Sequence, residues 1–150
     1  MDYIARAKDV LNAEIEGLAH VRDQLGAAFV ALVEASLETI RGGGKLVLCG
    51  LGKSGHIARK LAATLASTGS PAAYLHPVEA MHGDLGFVAK RDMLIVFSYS
   101  GETEELLTIV PAAKRCNVRV AAITGCLQSN LAKFADLVVP VTVPREACPF

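Results

Sequence analysis

The 150 residues suffice for one domain, and 52% of them are hydrophobic against 5% aromatic, so the core is aliphatic. Fifteen Lys and Arg balance fifteen Asp and Glu, which removes the electrostatic case for a nucleic acid or an anionic membrane as partner. No apolar run is long enough to span a bilayer, and the opening MDYIARAKDV carries acids instead of a basic start followed by an apolar stretch. The expected location is therefore the cytoplasm. Cys49, Cys116, Cys126 and Cys148 include no C-x-x-C pair; buried or free thiols in a reducing compartment fit them better than a disulfide framework.

Ile4, Ala7, Leu11, Ile15, Leu18, Leu25, Phe29, Leu32 and Ile40 recur at close to helical spacing. Arg22 breaks the stripe and Asp23 is a candidate cap, which predicts two helices, 3–21 and 24–41, stopped by Gly42-Gly43-Gly44. The short apolar run 45–49 reads as a strand buried on both faces, as in parallel sheets. A helix over 54–68 follows, then a strand over 72–76 and a loop with one helical turn over 77–86. Next come a strand over 93–97, a helix over 102–116, a strand over 119–124, a short helix over 129–135 and a strand over 137–141. Strands alternating with helices predict an α/β protein. The fold expected is a three-layer α/β/α sandwich on a five-stranded parallel sheet, preceded by the two N-terminal helices. No repeat or linker divides it, so residues 1–42 and 43–150 are read as one domain.

In such a sheet ligands sit beyond the carboxyl ends of the strands. After the first strand comes Gly50-Leu51-Gly52-Lys53-Ser54-Gly55. Glycines let the backbone approach a ligand, and a helix start presents free N–H groups to an anion. A P-loop needs glycine where Val47 stands, so that reading fails. G-x-G-x-x-G matches at Gly50, Gly52 and Gly55, but the second strand ends at His76 without the acid that a dinucleotide ribose needs. The plain alternative is a tight strand-to-helix turn.

After the third strand comes Ser98-Tyr99-Ser100-Gly101-Glu102-Thr103. Hydroxyls and N–H groups at a helix start form a compact phosphate site. A capping box with Ser100 as cap would explain one serine, but not three hydroxyls around a glycine. Two such loops on neighbouring strands point to a sugar-phosphate pocket.

Ser98–Thr103 resembles the phosphate loop of the sugar isomerase (SIS) domain. Gly52-Lys53-Ser54-Gly55-His56-Ile57, His76-Pro77, His82-Gly83-Asp84-Leu85-Gly86 and Arg145-Glu146-Ala147-Cys148-Pro149 resemble the arabinose-5-phosphate isomerases of that family. The resemblance implies interconversion of D-ribulose 5-phosphate and D-arabinose 5-phosphate, a step feeding 3-deoxy-D-manno-octulosonate synthesis for lipopolysaccharide. It also implies a homotetramer. It assigns Ser54, Ser98, Ser100 and Thr103 to the phosphate, with Gly50, Gly52, Gly55 and Gly101 as loop backbone. It assigns Lys53, His82, Glu105 and Glu146 to catalysis. Relatives carry a final helix, a segment with a further catalytic His and commonly a pair of CBS modules, and none of these lies within the 150 residues. The expectation is that this chain isomerises slowly or not at all and leaves an apolar patch where no helix covers the sheet.

Aldose–ketose isomerisation moves a proton between two carbons through an enediol, and needs a base, an acid near the carbonyl oxygen and donors for the developing oxyanion. Glu105 and Glu146 are candidate bases and Lys53 a candidate oxyanion stabiliser, while His82 would shuttle a proton or help open the sugar ring. The scheme calls for no metal and no cofactor. Against it, Glu105 reads equally as a solvated helix acid and Glu146 as a tail residue. His76, His82 and Asp84 are a metal alternative, although their spacing matches no zinc pattern; His20 and His56 read as surface or helix-packing residues. A binding module without chemistry and an isomerase of another sugar phosphate remain the rival functions.

Overall fold

The computed structural model describes residues 2–147. Two helices, α1 (Tyr3–Gln24) and α2 (Ala27–Arg41), precede β1 (Leu46–Gly50), α3 (Gly52–Ser67) and β2 (Ala72–Leu75). A short α4 (Pro77–Met81) and a 3-10 turn (Asp84–Phe87) lead to β3 (Met93–Phe97) and α5 (Glu104–Arg115). The chain continues through β4 (Arg119–Thr124), α6 (Asn130–Phe134) and β5 (Leu137–Pro140).

The five strands form one sheet in the order β2-β1-β3-β4-β5, and each neighbouring pair is parallel. Side chains alternate between its two faces with the period of two that a strand imposes. Val47, Cys49, Leu94, Val96, Val120 and Ala122 pack on Ala80 of α4, Leu131 of α6 and Leu106, Ile109, Val110 and Ala113 of α5. Leu46, Leu48, Met93, Ile95, Ala121 and Val139 pack on Leu32 and Ala35 of α2 and Ala58 and Ala62 of α3. All five residues of β1 are buried, and each fully buried Val or Leu side chain contributes roughly 1.5–3 kcal/mol. The three-layer sandwich on a parallel sheet is therefore as expected.

Two carboxyl networks, one buried and one exposed, tie the loops at the amino ends of the strands. Asp92, 3% exposed, accepts the Lys45 N–H at 3.0 Å and the Ala89 N–H at 2.8 Å and pairs with the Lys45 ammonium. Asp136 pairs with Lys114 and accepts the Val120 N–H at 2.8 Å.

Two expectations need correction, and the packing of the N-terminal helices adds a finding. Asp23 does not cap the second helix: α1 runs on to Gln24, Asp23 pairs with Arg22 at 2.8 Å, and Gly26 is the N-cap of α2. Of the N-terminal apolar stripe, Leu32 joins the core and Ile40 packs against it, but most of the rest faces outward. Ile4, Leu11, Ile15, Leu18, Leu25 and Phe29 are exposed, Leu18 by 71%, and α1 buries only Ala13 and Gly17. Nor is the β5 end of the sheet left bare: α2 packs across β5 and β1, so the exposed apolar surface lies on the outer faces of the helices. The α1 end is pinned instead by polar contacts, the Gln24 amide exchanging bonds of 2.8 and 3.1 Å with the backbone of Thr142.

Candidate functional site

The strand order reverses at β1, whose neighbours are β2 and β3, so a crevice opens beyond the carboxyl ends of β1 and β3. A cleft of about 130 Å³ lies there, lined by Ser54, Ile57, Phe97, Ser98, Tyr99, Ile123 and Val141. The fold thus brings the β1 loop and the β3 loop, far apart in sequence, to one place. Helix α3 begins at Gly52, earlier than expected, which sets Lys53 and Ser54 in its first turn. The approach is close because residue 55 has no side chain. A Cβ on Gly55 would lie 2.6 Å from the Gly50 carbonyl oxygen and 3.0 Å from the Tyr74 hydroxyl. Gly50 and Gly55 therefore serve helix-to-strand packing, and Gly52 supplies the left-handed turn between them with φ 56°.

The Ser98–Thr103 loop is held by its own hydroxyls. Ser98 is buried, its Oγ lies 3.0 Å from Thr103 Oγ1, and it accepts the Gly101 N–H at 3.1 Å. Ser100 is exposed and its hydroxyl accepts the Glu102 N–H at 3.2 Å. The capping-box alternative does not occur: α5 starts at Glu104, its N-cap is Thr103, and the Thr103 hydroxyl turns back to Ser98. Gly101 adopts φ 67°, and a Cβ there would lie 2.1 Å from Ser129 Oγ, so only glycine fits.

The loop is also held from the β4 side, through contacts that the sequence reading missed. The Tyr99 carbonyl accepts the Gly125 N–H at 2.9 Å and the Thr124 hydroxyl at 3.2 Å. The Gly101 carbonyl accepts the Leu131 N–H at 3.1 Å. Glu102 accepts the Asn130 N–H at 2.9 Å and the Asn130 amide at 2.8 Å, bonds that hold its carboxyl below the ordinary carboxylate range. Ser129 as an N-cap was the available signal for this second loop; its contact with Gly101 was not.

Lys53 is exposed and forms no ion pair among the described residues. Glu105 is half-buried in the first turn of α5. Glu146 lines a different cleft, of about 500 Å³, between α1 and the segment after β5, with Ala13, Glu14, Gly17, Leu18, Val21, Val143, Arg145 and Ala147. That cleft shares no residue with the Ser54–Ser98 cleft, so the four candidate catalytic groups do not line one cavity in this chain. Cys148 and Pro149 of the last motif lie outside the described residues.

His76, His82 and Asp84 are not assembled into a metal site. His76 caps α4, its Nδ1 accepting the Val78 N–H at 3.3 Å, while His82 is the exposed C-cap and Asp84 opens the 3-10 turn. Among the described residues no three His, Cys, Asp or Glu side chains form a metal-holding group. His56 is exposed, as expected, but it lines a further cleft beside β2 with Gly52, Gly55, Arg59, Tyr74 and His76. Arg59 lies over the Tyr74 ring at 4.6 Å, and Tyr74 donates to the Gly50 carbonyl at 2.8 Å. No helix of the described residues is long and apolar enough to cross a membrane.

Comparison with known proteins agrees with this geometry. The chain is 44% identical over 148 residues to arabinose 5-phosphate isomerase KdsD of Salmonella typhi, covering 99% of this chain and 44% of that protein. It is 44% identical over 142 residues to arabinose 5-phosphate isomerase GutQ of Salmonella typhimurium, covering 95% of this chain and 43% of the relative. The chain thus spans less than half the length of these curated relatives. An E. coli CFT073 protein solved in complex with A5P superposes with a TM-score of 0.93 at 41% identity, over 99% of this chain and 77% of that one. The SIS domain model matches residues 39–149. The chain belongs to the SIS domain family.

Proposed function

We propose that this chain is the sugar-phosphate-binding domain of an aldose–ketose isomerase that interconverts D-ribulose 5-phosphate and D-arabinose 5-phosphate, a step supplying 3-deoxy-D-manno-octulosonate synthesis. The observation that carries the reading is the convergence of Ser54 and Ser98 on one cleft at the point where the strand order reverses. Identity of 44% to two arabinose 5-phosphate isomerases supports the choice of sugar.

The substrate phosphate is held by Ser54, by the exposed Ser100 hydroxyl and by the loop that Ser98 and Thr103 keep in shape. Lys53, in the first turn of α3, offers an ammonium to the oxyanion of the enediol. Glu105 or Glu146 takes the carbon-bound proton and returns it to the neighbouring carbon, with His82 moving the hydroxyl proton. Glu146 lies in a separate cleft of this chain, which favours a site completed by a second copy. We therefore also propose a homotetramer, supported by the apolar faces that α1, α2 and α3 turn to solvent.

Incubating the chain, joined to the final helix and catalytic-His segment that the family resemblance implies, with D-ribulose 5-phosphate and following the sugar signals by NMR tests the reading. D-arabinose 5-phosphate is the expected product, in the presence or absence of a chelator, and Lys53→Ala should abolish its formation. A different sugar phosphate, or none, overturns it.

A further inference from the structure

The Ser98–Thr103 loop carries a carboxylate, Glu102, two residues from the exposed Ser100 hydroxyl. A negative charge there opposes an anion by Coulomb repulsion, so its presence in a phosphate loop needs a reason. The structure provides one. Both carboxylate oxygens are used, one on the Asn130 N–H at 2.9 Å and the other on the Asn130 side-chain amide at 2.8 Å. The next N–H of the same turn, that of Leu131, is taken by the Gly101 carbonyl at 3.1 Å. The phosphate loop therefore satisfies the first donors of α6, and α6 fixes the loop.

The loop also contains a position that cannot relax. Gly101 is left-handed and pressed against Ser129, the N-cap of α6. Glu102 lies between that residue and Thr103, whose hydroxyl meets Ser98. A side chain with two oriented acceptors at this point holds the backbone from Gly101 to Thr103 against the β4–α6 loop. Its N–H groups and the Ser100 hydroxyl are then ordered before any anion arrives, which lowers the entropic cost of binding.

Resting on the phosphate-loop reading above, we propose that Glu102 is a positioning residue for anion binding: through Asn130 it clamps the loop to α6, and its hydrogen bonds outweigh its own charge. The sign of the effect separates this from a surface acid. If Glu102 only contributed charge, removing it would tighten phosphate binding. If it clamps the loop, Glu102→Ala weakens binding although a negative charge is lost. Glu102→Gln keeps one acceptor for the Asn130 N–H and can donate to the Asn130 carbonyl oxygen once that amide turns, so it should rescue.

The test titrates inorganic phosphate, and then D-arabinose 5-phosphate, into the unaltered chain and its variants, following the amide signals of Ser100, Gly101 and Glu102. The expected results are affinity about fivefold to tenfold lower for Glu102→Ala, the loss of one or two hydrogen bonds, and affinity within about twofold of the unaltered chain for Glu102→Gln. Asn130→Ala retains the backbone donor and should be intermediate, which keeps the test open if Glu102→Ala misfolds. Equal or tighter binding by Glu102→Ala or Asn130→Ala, with Ser100→Ala still weakening it, overturns this proposal alone. Absence of phosphate binding to the unaltered chain, or no effect of Ser100→Ala, overturns the phosphate-loop reading and this proposal together.

Discussion

Three hydroxyls that look equivalent in the sequence have different surroundings. Ser98 is buried and joined to Gly101 and Thr103, whereas Ser100 is exposed. Ser98→Ala should therefore lower stability by about 1–3 kcal/mol, since it leaves a buried N–H and hydroxyl short of a partner. Ser100→Ala should leave the thermal midpoint nearly unchanged and weaken phosphate binding. Thermal melts beside phosphate titrations of the two variants check the division; equal melts for both would refute it. Cys49 shows the same dependence on place. Burial pushes its thiol up to about 12, only partly offset by a bond with the Gly50 backbone, so it stays protonated and inert near neutral pH. Brief treatment of the folded protein with iodoacetamide should label the exposed Cys116 and Cys126 and spare Cys49, as mass spectrometry of the digest would reveal.

At the scale of elements, stability rests on faces and on the ties between strand ends. Leu48 of β1 is fully buried against α2 and α3, and Leu48→Ala should cost about 2–5 kcal/mol in urea unfolding. Asp92 binds the start of β1 to the turn before β3. Burial pushes its carboxyl up, but the Lys45 ammonium and the N–H groups of Ala89 and Lys45 outweigh this and hold it below the ordinary range. A carboxyl lowered by folding stabilises above its unfolded value, about pH 4, and that contribution is lost as the pH falls through the lower folded value. Asp92→Asn should thus melt well below the unaltered protein at pH 7, and the gap should narrow steadily below about pH 4. A gap independent of pH would show that the charge on Asp92 is immaterial.

Considered whole, the molecule has a closed α/β/α core and an open flank. Tyr3, Ile4, Leu11, Ile15 and Leu18 of α1, Phe29, Val30, Val33 and Leu37 of α2, and Ile57 and Leu61 of α3 are all exposed. Exposed apolar surface on this scale is the kind that marks an interaction face, and the homotetramer proposed above would bury it against a second copy. Ile15→Glu with Leu18→Glu should shift the sedimentation coefficient toward that of a monomer without lowering helix content, because neither residue touches the core. An unaltered coefficient would exclude α1 from the interface.

Sequence alone was enough to establish the parallel sheet, the element order and the two glycine-bearing loops that follow β1 and β3, because these rest on local signals. Buried strands read as apolar runs, glycines mark turns, and Ser98–Thr103 concentrates hydroxyls before a helix. The stripe of Ile4, Leu11, Ile15 and Leu18 was equally visible, but periodicity reports that a helix has an apolar face and says nothing of what covers it. Only the tertiary structure decided that this face looks outward, that α2 covers β5, and that Glu146 lies in another cleft from Ser54. The same holds for the clamp between Glu102 and Asn130, residues 28 apart in the chain. Such contacts depend on how strands pair across the sheet, and pairing is a non-local property that no window of sequence contains.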